Sequence, residues 1–165
     1  MQSVPLDKKR HDRNYFDCGT EILNNYLRLM ANQQSSKDNS RTYVLEAPEN
    51  TKRIIGFYTL TMVTVDLSSL PDALQKRHQN HHSAGLIARL AVDKRYAHKG
   101  FGAWLLVDAL KKLLMASNTV AFPIIIVDAK EGVSAFYEKF GFVPFKHEKN
   151  KLFISVADVR ASFGK

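Results

Sequence analysis

Two glycines spaced i, i+2 stand where an apolar run gives way to a helical one, in Leu90-Ala91-Val92-Asp93-Lys94-Arg95-Tyr96-Ala97-His98-Lys99-Gly100-Phe101-Gly102-Ala103-Trp104. A strand that ends, a short basic loop and a glycine-rich helix start make an anion cradle. The glycines let the backbone approach an oxyanion closely, and the first N–H groups of a helix lack internal acceptors. His98 and Lys99 can add side-chain donors. The pattern lacks the third glycine of a dinucleotide fingerprint and the Gly-Lys-Ser/Thr of a phosphate-binding loop. Taken alone, such a pair of glycines also suits a purely structural turn.

Charge is unevenly placed. Residues 1–50 are neutral overall, whereas residues 51–100 carry eight basic and three acidic groups. Between Lys76 and Lys99 lie Lys76, Arg77, Arg89, Lys94, Arg95 and Lys99 against Asp93 alone, with four histidines. Such a cluster attracts RNA, DNA or a phosphorylated cofactor, or else forms a solvated basic face; the sequence leaves both open. Arg89 interrupts an apolar run, and either touches RNA in an acceptor groove or pairs with an acid. His78, His81 and His82 have a spacing that could bind metal, but no acidic or cysteine partner stands nearby, which favours a solvated loop and no metal. Cys18, the one cysteine, reads as a small buried hydrophobe near a helix start rather than a covalent nucleophile.

The elements that must hold these residues follow from periodicity. Gly19–Gln33 predicts a helix with Ile22, Leu23, Tyr26, Leu27 and Met30 on one stripe. Arg41–Glu46 and Ile54–Val65 predict a hairpin, and residues 67–82 a short helix and loop. Leu86–Val92 predicts a central strand, residues 102–115 a helix, and Ala121–Val127 a buried strand with Pro123 near its start. Gly132–Phe140 predicts a short helix closed by Gly141, and Val143–Phe145 with Leu152–Val156 a terminal pair. Tyr15, Phe16 and Trp104 are expected in the core. The crossover rule makes Leu86–Val92 and Ala121–Val127 parallel, so the fold class is α/β or α+β with a mixed sheet. At 165 residues and 45% hydrophobic composition, a single domain spanning 1–165 with a real core is expected and a disordered chain is excluded. No apolar run reaches membrane-spanning length and the N-terminus has no signal-peptide core, so the expectation is a soluble cytoplasmic protein.

Ala97-His98-Lys99-Gly100-Phe101-Gly102 resembles motif A of the GNAT superfamily of acetyl-CoA-dependent N-acetyltransferases, with Ala97 where the family usually has Gln or Arg. The resemblance implies a mixed sheet, flanked by helices, whose parallel central strands splay. It implies that the backbone of Ala97, His98, Lys99, Gly100, Phe101, Gly102 and Ala103 binds the coenzyme A pyrophosphate. It also implies that Leu90, Ala91 and Val92 pair with the pantetheine arm. Ser134-Ala-Phe-Tyr137-Glu-Lys-Phe-Gly-Phe142 resembles motif B, where a tyrosine is often the general acid. Chemistry supplies the reason: coenzyme A leaves as a thiolate, which a phenol can protonate.

The segments His11-Asp-Arg-Asn-Tyr-Phe-Asp-Cys-Gly19, Ser40–Val44 and Leu86–Asp93 further resemble GNAT toxins of type II toxin–antitoxin modules. That likeness implies acetylation of the α-amine of aminoacyl-tRNA, a ribbon-helix-helix antitoxin and a homodimer. The residues themselves agree on two points. The basic cluster flanks the candidate cofactor loop, as a binder of tRNA phosphates requires, and makes Arg77, Arg89, Lys94 and Arg95 the expected RNA contacts. No Asp or Glu stands out as a general base, and an α-amine with pKa about 7.7–8.0 needs one far less than a lysine near 10.4. The alternatives are a GNAT enzyme acting on a small amine or a protein amino group, and a non-enzymatic nucleic-acid-binding module.

Overall fold

In the computed structural model, residues 1–164 are described. The strands are β1 (Ser3–Pro5), β2 (Arg41–Ala47), β3 (Asn50–Thr64), β4 (Ser83–Val92), β5 (Ile124–Asp128), β6 (Val143–Phe145) and β7 (Glu148–Ser155). The helices are α1 (Glu21–Asn25), α2 (Ala31–Ser36), α3 (Asp72–Arg77), α4 (Phe101–Thr119), α5 (Ser134–Glu138) and α6 (Val156–Phe163). The chain divides into one unit of Met1–Thr61 with Ala88–Ala109 and another of Met62–Ile87 with the residues from Leu110 onward.

In the first unit the strand order is β1-β2-β3-β4. β1 and β2 pair antiparallel from Ser3↔Leu45 to Pro5↔Tyr43. β2 and β3 pair antiparallel from Arg41↔Leu60, with irregularities after Leu45. Gly56 lets β3 lie close to its neighbours: a Cβ there would stand 2.6 Å from Leu105 Cδ1 and 2.8 Å from the Ala91 carbonyl oxygen. One apolar cluster, with Phe16, Tyr26, Leu27, Val44, Ile54, Phe57 and Ala91, packs the helical segment on the sheet. That segment begins at Glu21 and is interrupted by a π-helical turn, Tyr26–Met30. The wider turn rotates the apolar stripe that the sequence predicts. Leu27 is fully buried, whereas Ile22, Leu29 and Met30 are exposed.

In the second unit the order is β4-β5-β7-β6. β4 and β5 are parallel, as the crossover rule requires, over Ala84↔Ile124 to Ile87↔Val127. The ladder stops there, although β4 continues to Val92. Ile124, Ile125, Ile126 and Val127 are all buried, the pattern of a strand covered on both faces. β5 starts at Ile124 rather than Ala121. Pro123 lies just outside it, its carbonyl accepting from the Val156 N–H at 2.9 Å. β7 pairs antiparallel with both β5 and β6, and Val65, Leu70, Ala84, Ile124, Ile126, Phe145 and Phe153 form this unit's cluster. β1 and α6 have no counterpart in the sequence reading: β1 is three residues long, and α6 follows an apolar run that reads as strand.

Candidate active site

The loop after β4 is built from its first residue outward. Asp93 is 1% exposed and its N–H donates to the Ile55 carbonyl at 2.8 Å. Its carboxylate accepts from the Arg95 N–H at 2.8 Å, from Arg95 Nε at 2.9 Å and Nη2 at 2.8 Å, and from the Asp17 N–H at 3.0 Å. Burial opposes ionisation, but the Arg95 guanidinium and the two backbone donors outweigh it and hold the carboxyl below its ordinary range. The next three residues, Lys94–Tyr96, form a 3-10 turn capped by this carboxylate.

The N-terminal Phe16-Asp-Cys-Gly19 segment completes the brace. Asp17 Oδ2 takes the Lys94 ammonium at 2.9 Å, while Oδ1 accepts from the Gly19 N–H at 2.8 Å and from Asn24 Nδ2 at 3.0 Å. The Lys94 contact, then the Gly19 and Asn24 donors, pull the Asp17 carboxyl far down. Tyr15, expected in the core, is instead 39% exposed. Two guanidinium groups lie over its ring, Arg95 at 3.8 Å and Arg53 at 4.5 Å from the centre, both cation–π contacts. Phe16 is buried, as expected, and Trp104 is half-buried.

Past the 3-10 turn the backbone becomes left-handed at His98 (φ 61°) and again at Gly100 (φ 86°). A side chain at Gly100 would meet nothing within 4 Å, so within the protein the backbone conformation, not crowding, calls for glycine there. α4 starts directly after, its first internal bond running from the Trp104 N–H to the Gly100 carbonyl at 3.1 Å. Among the described residues, the N–H groups from His98 to Ala103 have no protein acceptor. Successive free donors at the start of a 19-residue helix are an anion-binding arrangement. His98, Lys99 and Gly100 are exposed there, and Ala97, Phe101, Gly102 and Ala103 half-buried. On β4, Ala91 faces the apolar cluster while Leu90 and Val92 are half-buried.

Of the two roles the sequence leaves open for Arg89, pairing with an acid is not seen among the described residues. Its guanidinium lies 4.6 Å from the centre of the Tyr26 ring, Nη1 donates to the Ala88 carbonyl, and Nε is buried without a partner. Lys94 and Arg95 are committed to Asp17 and Asp93. Arg77, the last residue of α3, makes no ion pair with a described residue.

Tyr137 and Arg77 belong to the second unit, the other candidate residues to the first. Tyr137, on α5, is 7% exposed. Edge-on contacts to Phe136 (5.1 Å) and Phe142 (5.8 Å) fix its ring. Burial pushes the phenol up to about 12, and no described residue hydrogen-bonds its hydroxyl. Such a group stays protonated at neutral pH with its proton uncommitted.

A braced loop with a run of free N–H groups at a helix start suits a phosphorylated ligand. Residues 38–144 match the family described as the acetyltransferase (GNAT) domain. The chain belongs to the GNAT acetyltransferases.

Three relatives of this GNAT chain place it more narrowly. It is 30% identical, over 97% of its own length and 93% of the relative's, to a protein of Sinorhizobium fredii named probable toxin TacT. It is 29% identical, over 90% and 89%, to a Mycobacterium tuberculosis protein named tRNA-acetylating toxin. Among solved structures, AtaT complexed with acetyl-methionyl-tRNAfMet superposes with a TM-score of 0.88 at 26% identity, covering 98% of each chain.

Sequence reasoning about this GNAT chain missed the brace of Asp17, Asp93 and Tyr15. The signal was present in the Asp-Cys-Gly segment, but its spacing of 76 residues from Asp93 hid the partnership. Among the described residues no group of three or more His, Cys, Asp or Glu could hold a metal ion. Among the described residues no helix is long and apolar enough to cross a membrane.

Proposed function

We propose that this GNAT enzyme transfers the acetyl group of acetyl-CoA to the α-amino group of an aminoacyl-tRNA, blocking translation as the toxin of a toxin–antitoxin pair. The carrying observation is the run of unpaired N–H groups from His98 to Ala103, opened by two left-handed residues and braced through Asp93 and Asp17. The names of the relatives supply the acceptor class. In this reading the backbone of residues 97–103 holds the pyrophosphate, and Leu90, Ala91 and Val92 pair with the pantetheine arm.

The neutral α-amine attacks the thioester carbonyl, a C–N bond forms and the C–S bond breaks. Tyr137 gives its proton to the departing thiolate. The nitrogen loses its extra proton to solvent, which reprotonates the phenolate. Free-amine substrates such as polyamines are cations, and the net +5 of residues 51–100 argues against them. Arg77 and Arg89, which no described acid neutralises, supply most of the attraction to RNA, and Lys94 and Arg95 assist from within the brace.

The whole chain acts as one catalytic domain in the cytoplasm, as a homodimer, held in check by a ribbon-helix-helix antitoxin. Sedimentation at micromolar concentration showing only monomer overturns the dimer. The reaction is tested with labelled acetyl-CoA and a mixed pool of charged tRNA. Label recovered as N-acetylated amino acid after mild alkaline release is the expected result. Label found only on polyamines or protein amino groups rejects the RNA acceptor.

A further inference from the structure

The second unit carries a surface cavity of about 300 Å³ lined by Arg77, His78, His81, Ala121, Phe122 and Pro123. Half of that lining can carry positive charge, half is apolar, and none of it is a carboxylate. Arg77 is exposed and unpaired among the described residues. His78 is half-buried, and its pKa is held below the ordinary histidine range first by burial and then by the neighbouring Arg77 and His81. Burial alone favours the neutral ring, and the two neighbours add to it.

The cavity is also firmly built. The His81 N–H donates to the His78 carbonyl at 3.0 Å, closing the turn that carries both rings. Phe122 is 6% exposed and wedged against β4, where a Cβ on Gly85 would stand 3.0 Å from its ring. One guanidinium and two imidazole rings set beside apolar side chains suit a phosphodiester with its sugar, since the phosphate takes the polar donors and the ribose carbons take the apolar side.

We propose that this cavity seats a backbone phosphate of the RNA substrate, with Arg77 supplying the charge and the His78 and His81 rings donating hydrogen bonds. The proposal rests on the aminoacyl-tRNA reading and gives that reading a defined contact outside the glycine loop.

Uncharged tRNA is the probe, bound to the full chain across a salt series. Arg77→Gln, at an exposed position that leaves the fold intact, weakens binding and makes the log–log salt slope shallower by about 0.7–0.9, the worth of one phosphate contact. Bound tRNA also shields His78 and His81 of the wild-type protein from carbethoxylation, read by mass spectrometry. If wild-type protein binds tRNA but Arg77→Gln leaves the slope unchanged, or the two histidines stay fully reactive in the complex, the cavity is not an RNA contact and this proposal fails, an unchanged slope also removing Arg77 from the RNA attraction, while acetyl transfer to aminoacyl-tRNA stands. If wild-type protein binds no tRNA, the aminoacyl-tRNA reading fails and the cavity loses its occupant with it.

Discussion

Asp93 holds Arg95 through two parallel hydrogen bonds, Nε to Oδ1 at 2.9 Å and Nη2 to Oδ2 at 2.8 Å, with the carboxylate 1% exposed. The pair stands immediately before the left-handed residues of the glycine loop, so its geometry sets where that loop starts. Arg95→Gln leaves a buried carboxylate short of two charged donors, which costs about 1–3 kcal/mol. Thermal unfolding moves down by several degrees, while the salt slope of tRNA binding changes less than with Arg77→Gln. A slope that flattens equally, with unfolding unchanged, assigns Arg95 to RNA instead of the brace.

Asp17 makes the brace sensitive to acid. Its carboxyl is held far below the unfolded value by Lys94, then by the Gly19 and Asn24 donors. A depressed pKa contributes stability that is complete above the unfolded value of about 3.9 and is lost as pH falls from there toward the folded value. Asp17→Asn therefore melts lower than wild type at neutral pH, and the gap closes on acidification below about pH 4. A gap that persists under acid removes the carboxylate from the explanation.

Gly102 lies in the first turn of α4, among the free N–H groups. Gly102→Glu places a bulky anion where a phosphate would dock, so calorimetry finds no acetyl-CoA binding in a chain whose circular dichroism is unchanged. Retained affinity in the folded variant moves the cofactor elsewhere.

Arg89 tests whether a cation is kept at the expense of stability. Its buried Nε lacks a partner, and an unmade hydrogen bond of that kind costs about 1–3 kcal/mol. Arg89→Met keeps the apolar stem and removes the orphaned group. Melting temperature holds or rises, and tRNA affinity falls. A variant that is destabilised with full affinity makes Arg89 a structural residue stacked on Tyr26.

Tyr137→Phe keeps the ring and its contacts with Phe136 and Phe142 but removes the proton. Acetyl transfer slows by about 10²–10⁴ with acetyl-CoA affinity nearly unchanged, and growth arrest on expression disappears. Wild-type activity rises as the acceptor amine deprotonates near pH 7–8. Because burial raises the phenol to about 12, the donor stays protonated past pH 10 and is lost only as pH rises through that higher value. Full activity in Tyr137→Phe, or an alkaline fall already at pH 10 that the variant shares, gives the proton to another group.

Local pattern determined much of this protein. The glycine pair, the apolar run before it and the helix after it are adjacent in sequence, so backbone rules sufficed to read the strand, the turn and the helix start. The parallel pairing of β4 with β5 followed from one crossover helix, and the buried Ile124–Val127 strand from its unbroken apolar run. Only the tertiary structure decided what charges do. Arg89 and Lys94 look alike in a list of cations, yet Lys94 is ion-paired with Asp17 and Arg89 is stacked on Tyr26 with no described acid, because both partners come from the N-terminal segment, far away in sequence. Arg95, by contrast, pairs with a near neighbour, Asp93. The exposure of Ile22 and Met30 was equally hidden: a π-helical turn depends on packing against the sheet, and a 3.6-residue period cannot announce it. The raised pKa of Tyr137 likewise comes from burial that no motif encodes, since burial is a property of everything around a residue and not of its neighbours in the chain.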